Sequence, residues 1–228
     1  VTTVISPTPS IRRVNLKVVA DQDNDAEVEL LDSVTVNSLF ERFRLRHKGP
    51  PRAEIEPAAD QLSALLALIK AGAPPSVDFA VWGSQEYRES IRPKLEGMRP
   101  QGDGAWISVR ISGPATFAQW AACYAVFKAA AIMLDIITPH VLDEYAATIA
   151  HLHSTYGPDA WVTIYAADRL ARKTYLERKR RGEAYNYEMA RKHGRYHDYD
   201  PARPWDSALL KVASDQAFWQ RKVIDEVQ

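Results

Sequence analysis

GPATFAQWAACYAVFKAAAIMLDIITPHVLDEYAATIAHLHSTYGPDAWVTIYAADRLAR, residues 113–172, is the stretch whose reading decides the fold. Phe117, Trp120, Tyr124, Phe127, Ala131 and Leu134 recur at the 3-4-3-4-3 spacing of one helical face, which predicts an apolar stripe about five turns long. Thr138-Pro139 supplies an N-cap and N1 pair for a second helix. Leu142, Tyr145, Ile149, Leu152 and Tyr156 repeat the spacing until Gly157-Pro158. A third helix is predicted from near Asp159 to about Arg181, with Trp161, Ile164 and Tyr165 inward. Links this short favour antiparallel neighbours. The expected core is Phe117, Trp120, Tyr124, Phe127, Leu134, Leu142, Tyr145, Ile149, Leu152, Trp161 and Ile164.

On the N-terminal side, Leu62, Leu65, Leu66 and Ile69 predict a helix over 58–71, and Leu39, Phe40 and Phe43 a shorter one over 37–47. Val77–Trp82 reads as a short strand or a tucked-in extended segment. Ile107, Val109 and Ile111 alternate with Trp106, Ser108 and Arg110, which predicts a strand whose hairpin partner lies at 95–99 across the turn at 101–104. Toward the C-terminus, Gly182 is expected to end the third helix, with a short helix from there to Lys192, a loop over 194–204, and helices at 205–213 and 215–226. Residues 1–35 read as an extended N-terminal arm and 36–228 as a single helical domain. The fold class is therefore mainly α: an antiparallel helical bundle with a small β-hairpin and that arm.

Composition agrees with a folded domain. Of 228 residues, 46% are apolar and 25% charged, and the mean hydropathy is −0.32, unlike a disordered chain. No apolar run approaches the roughly 20 residues of a membrane span. VTTVISPTPS has no basic flank before an apolar stretch and no initiator Met, so no signal peptide is read and a longer parent product is expected. The lone Cys123 excludes an internal disulfide and suits a reducing, intracellular compartment.

Catalytic motifs are missing. The sequence has no GxGxxG and no GxxxxGK[ST], and no glycine elbow surrounds a serine. His151 and His153 point to different faces of a helix, and the His193/His197 pair spans Gly194, so no metal site is read. No cofactor and no enzymatic activity are expected. Charge is more informative. The total is neutral, but Asp21, Asp23, Asp25, Glu27, Glu29 and Asp32 form an acidic run, and residues 168–204 hold eleven Arg or Lys against six Asp or Glu. Arg169, Arg172, Lys173, Arg178, Lys179, Arg180 and Arg181 can neutralise phosphates, while Tyr175, Tyr185 and Tyr187 can stack on unpaired bases. That combination suits single-stranded nucleic acid better than sequence-specific duplex reading.

Three segments carry a resemblance: SVDFAVWG (76–83), residues 113–172, and RPWDSALLKVASDQAFWQRKV (203–223). Asp78, Phe79 and Ala80, then Trp120, Phe127, Leu134, Leu142, Asp143 and Tyr145, then Trp161, Ile164, Tyr165, Asp168, Arg169 and Arg172, and finally Pro204, Trp205, Phe218 and Trp219 match its pattern. The chain thus resembles, from about residue 15 onward, an uncharacterised multicopy protein family of dinoflagellate algae associated with retroelement-like open reading frames. Ala166-Ala167 departs from the Gln-Ala of that pattern. The resemblance implies a mobile-element origin, and such frames without a polymerase motif often encode Gag-like proteins. The expected function is a Gag-like or capsid-like, self-associating protein that binds single-stranded RNA. The alternative is a protein-interaction scaffold subunit of a larger assembly, with the acidic arm docking on a basic face and no nucleic acid involved.

Overall fold

The computed structural model describes residues 12–15, 26–91, 96–100, 106–110, 113–195 and 197–227. They form a mostly helical bundle with two small antiparallel sheets. In chain order the elements are β1 (Arg13–Asn15), β2 (Glu27–Glu29), α1 (Ser33–His47), α2 (Ala59–Lys70), α3 (Gln85–Ile91), β3 (Glu96–Pro100) and β4 (Trp106–Arg110). Then follow α4 (Phe117–Met133), α5 (Pro139–Tyr156), α6 (Trp161–Leu170), α7 (Leu176–Lys192), α8 (Asp206–Ala213), α9 (Gln216–Trp219) and α10 (Asp225–Val227).

Helix α4 is the axis of the core. Thr116 caps it by accepting from the Gln119 amide at 3.2 Å, and most of its length from Trp120 to Met133 is buried. A helix apolar on nearly every face belongs inside, with neighbours all round. α5 packs along it and α1 crosses it, while α6 and α8 lean on α5. Of the expected core, Phe117 and Leu134 lie half-buried at the margin and the other nine are buried. Tyr124 secures the α4–α5 contact by donating its hydroxyl to the Leu142 carbonyl at 2.8 Å.

Two stretches differ from the sequence reading, each for a local reason. α1 begins at Ser33 because Asp32 is its N-cap, accepting from the Thr35 amide at 2.8 Å. Asp32 thereby leaves the acidic run and belongs to the domain. The described part of the arm is extended, as read, and is fastened to itself and to the domain: β1 pairs with β2, and the Leu31 amide donates to Ser63 Oγ on α2 at 2.9 Å. Asp21, Asp23 and Asp25 lie outside the described residues. Residues 77–82 form no strand; they turn, with the Ala80 amide on Asp78 Oδ1 at 2.9 Å, and bury Val77, Phe79 and Trp82. The hairpin is as expected, with Glu96 opposite Arg110 and Pro100 opposite Trp106, its turn at 101–104 lying outside the described residues.

The largest difference concerns the third helix. Gly182 does not end it. α6 runs through a π-helical turn, Ala171–Tyr175, directly into α7, which continues to Lys192. A second π turn, Gln220–Ile224, joins α9 to α10. Among the described residues no helix is long and apolar enough to cross a membrane.

Candidate nucleic-acid interface

The ten residues singled out for nucleic acid all lie on this continuous α6–π–α7 path, and the helix sorts them by direction. Arg172 turns inward. It is 3% exposed, its Nε and Nη2 donate to Asp168 Oδ1 and Oδ2 at 3.0 and 2.7 Å, and its Nη1 donates to the Val77 carbonyl at 2.7 Å. Its guanidinium lies 4.1 Å from the Phe79 ring centre. Burial pulls its pKa down, but the Asp168 charge and hydrogen bonds outweigh that and hold it above the ordinary arginine value. Arg172 has no surface left for a phosphate, which corrects its assignment as a phosphate contact.

Tyr175 is likewise committed to packing rather than to base stacking. One face stacks on Phe218 with ring centres 4.3 Å apart, and Lys179 Nζ lies 4.9 Å from the ring centre. Its hydroxyl donates to Asp215 Oδ2 at 2.5 Å, where Lys179 Nζ also ends. Burial pushes the Asp215 carboxyl up, yet the hydrogen bonds from Lys179, Tyr175 and the Phe218 amide prevail and hold its pKa at about 2. Arg180 donates to both Glu177 oxygens, at 2.8 and 2.7 Å, with its guanidinium 5.2 Å from the Trp205 ring centre. Tyr187 is half-buried against Tyr199, ring centres 5.7 Å apart. These groups fasten α7 to the C-terminal segment.

The remaining residues face outward. Arg169, Lys173, Arg178, Arg181 and Tyr185 are exposed. Arg178, Arg181 and Tyr185 fall at i, i+3 and i+7, which is one helical face, and Tyr185 is 66% exposed. Among the described residues Arg181 makes a loose contact with Glu177, Nε to Oε1 at 3.7 Å. Met189 and Lys192 extend the face by i+11 and i+14. Sequence reasoning missed these two because it stopped the helix at Gly182, and the inward position that follows, Glu183, is charged, so no apolar period marks the continuation from Leu176 to Tyr187.

Glu183, on the inner side of α7, was also missed. It is buried, with Lys211 Nζ at 2.8 Å from Oε1 and His197 Nε2 at 3.6 Å from Oε2. His197 Nδ1 accepts from the Tyr199 amide at 3.1 Å, so the neutral ring carries its proton on Nε2, toward Glu183. His193 is exposed at the end of α7. Cys123 is buried, and burial pushes its thiol up to about 12, which leaves it a structural residue.

Comparison with protein-family models, with curated proteins and with solved structures gives no match in any of the three.

Proposed function

We propose that the chain is a Gag-like or capsid-like, self-associating protein of a mobile element that binds single-stranded nucleic acid along the outer face of α7 and carries out no catalysis of its own. One observation carries the binding reading: α7 displays an exposed tyrosine, Tyr185, in line with two exposed arginines, Arg178 and Arg181. Cations there neutralise phosphates and release counterions, while an exposed ring offers a face to an unpaired base. Arg169 and Lys173 lie upstream on the same helical path. Self-association is the part of the capsid-like reading that the resemblance alone carries. The mobile-element origin rests on the resemblance of residues 76–83, 113–172 and 203–223.

The test is fluorescence anisotropy of a labelled oligoribonucleotide against increasing salt. Four phosphate contacts, from Arg169, Lys173, Arg178 and Arg181, predict a log–log slope of about −3 for a single strand. Reversing both charges in Arg178→Glu/Arg181→Glu is expected to abolish binding and to leave the far-ultraviolet dichroism unchanged. Equal affinity in that variant, or an affinity flat in salt, overturns the reading. Light scattering without RNA measures self-association separately, and a monomer at all concentrations removes the capsid-like half.

A further inference from the structure

Residues 41–52, ERFRLRHKGPPR, carry five Arg or Lys against a single Glu, a denser positive run than that of residues 168–204. The run closes α1 and crosses the turn after it. Arg42, Arg44, Arg46, Lys48 and Arg52 are all exposed. Arg44 is held by Glu41 at 2.8 Å, while the side chains of Arg42, Lys48 and Arg52 make no ion pair among the described residues. Cations in a last helical turn ordinarily serve the macrodipole. That accounts for Arg44, Arg46 and Lys48, but Arg42 stands before the last turn and Arg52 beyond Gly49-Pro50-Pro51.

Two details mark the patch as built. Arg46 Nη1 and Arg203 Nη2 both donate to Asp135 Oδ1, at 3.2 and 3.1 Å. The shared carboxylate sets two guanidiniums side by side, and with five N–H donors apiece most of each fork stays open to an anion. Lys48 and Asp135 are also the non-glycine residues with positive φ among the described residues, each at 57°. Left-handed backbone is unfavourable for a residue with a side chain, and such residues gather at functional sites.

The charge selects an anion, and the layout selects its kind. Arg42 and Arg46 form one row at i, i+4, while Arg44 stands about 160° away from both round the helix axis. Between the two flanks the outermost positions are Glu41 and Leu45, again i, i+4. A carboxylate on that crest is unlike the apolar face by which an interfacial helix enters a bilayer. A flexible strand can bend from one flank to the other and on to Arg52, phosphate by phosphate. His47, the one exposed ring of the run, is stacked on Phe43 with centres 4.4 Å apart, so the patch offers charge to a backbone rather than a platform to a base. Arg203 ties it to α7. Two residues on, the Trp205 ring lies 5.2 Å from the guanidinium of Arg180, next to the outward Arg181, and two residues of chain span at most about 7 Å.

We propose that the end of α1 is a second contact for the strand bound on α7, which continues from Arg181 past residues 203–205 onto the Arg203–Arg46 pair and then to Arg42, Lys48 and Arg52. The proposal rests on the strand-binding reading and adds to it the path and length of the occupied strand. Asp135 is a positioning residue for the two guanidiniums.

The experiment titrates the full chain with two labelled oligouridylates, of about six and about twenty nucleotides, which bracket the usual span of single-strand sites. The short strand fits on one patch and should keep a log–log salt slope of about −3. The long one gains four contacts, from Arg42, Lys48, Arg52 and the Arg46–Arg203 pair, and should steepen to about −6. Arg42→Gln/Arg46→Gln/Lys48→Gln/Arg52→Gln, exposed changes to a good helix former, should return the long strand to about −3. Short-strand affinity within about twofold of wild type shows that this variant folds. Slopes of about −3 at both lengths, or a long-strand slope untouched by the four glutamines, overturn the patch and leave the α7 interface standing. Long-strand binding that survives Arg178→Glu/Arg181→Glu but not the four glutamines removes the α7 interface and leaves the patch. If the four glutamines abolish binding to phosphatidylserine vesicles, or self-association without RNA, while the strand slope is unchanged, the patch belongs to a lipid surface or to a second copy's acidic run, and the proposal falls.

Discussion

Asp168 and Arg172, one helical turn apart, hold each other inside the core by two nearly parallel hydrogen bonds of 3.0 and 2.7 Å. The pair is shared by four parts of the chain. Tyr145 of α5 donates its hydroxyl to Asp168 Oδ1 at 2.8 Å, Trp120 of α4 donates Nε1 to Oδ2 at 3.0 Å, and the Val77 carbonyl accepts from the third guanidinium nitrogen, Arg172 Nη1. Desolvating two charges costs several kcal/mol each, and such a pair is tolerable only when its other valences are filled. Here each Asp168 oxygen accepts two hydrogen bonds, so the network fixes the relative rotation of α4, α5 and α6 and the path of residues 77–79.

Breaking the pair from one side should be far worse than removing an exposed cation. Arg172→Ala leaves Asp168 buried without its counter-ion and is expected to cost about 3–5 kcal/mol. Arg178→Ala, on the outer face of α7, should fall within about 0.5 kcal/mol of wild type. Urea denaturation of the two variants measures the contrast. A milder loss in Asp168→Leu/Arg172→Met than in Arg172→Ala would show that the unpaired charge, not lost packing, is what destabilises. Similar midpoints for Arg172→Ala and Arg178→Ala would refute the account.

The bundle itself was legible because α4 and α5 announce themselves by period alone: Trp120, Tyr124 and Phe127, then Leu142, Tyr145 and Ile149, are buried where the spacing put them. The i, i+4 pairing of Asp168 with Arg172 was also readable, but its burial was not. A charged pair on a helix is ordinarily a solvated face, and only the convergence of Trp120, Tyr145 and residue 77, distant in sequence, makes this one internal. The same limit applies to the site. Composition counts Arg178 and Arg180 alike, yet one faces water and the other is held by Glu177 and Trp205. Two π turns added to the difficulty, since each inserts a residue into the helical period.

Gly182 offers a direct test of the uninterrupted α7. It lies within the helix, and a Cβ built there meets nothing within 4 Å. Glycine in a helix interior is less favourable than alanine by about 0.5–1 kcal/mol. Gly182→Ala should therefore stabilise by about that amount and raise Tm by roughly 2–3 °C, readable by calorimetry. A loss of stability would mean that the chain breaks at 182 after all.

The Asp215 contact predicts a particular pH window. Its carboxyl is held at about 2 against an ordinary value of 3.8, a depressed pKa. Its stabilisation is thus complete above about pH 4 and lost as pH falls toward 2. Lys179 is shifted the other way: burial lowers it, but Asp215 and Tyr175 raise it above 10.5, so its share persists below that value and fades as pH rises through the raised one. Asp215→Asn retains a competent N-cap for α9 while removing the charge. It should cost about 1 kcal/mol at neutral pH, a figure discounted for the solvent beside the pair. The deficit against wild type should vanish near pH 2. A pH-independent deficit would assign the contact to hydrogen bonding alone.

Gly113 should be the least replaceable of the glycines with positive φ. Its φ is +84°, and an added Cβ would stand 1.9 Å from a Tyr165 ring atom. Gly194 has a similar φ, +68°, with nothing within 4 Å. Alanine at 194 should cost only the left-handed backbone penalty of about 1–2 kcal/mol. Alanine at 113 adds a clash with a ring packed against Trp161, bringing the total to roughly 2–5 kcal/mol. The difference between the two variants isolates the Gly113–Tyr165 approach. If Gly113→Ala/Tyr165→Ala recovers part of that difference relative to Tyr165→Ala alone, in a double-mutant cycle read by urea denaturation, the glycine is there to seat the tyrosine. Strict additivity of the two substitutions would instead leave Gly113 as a backbone requirement and remove the wall that holds the Tyr165 hydroxyl in place.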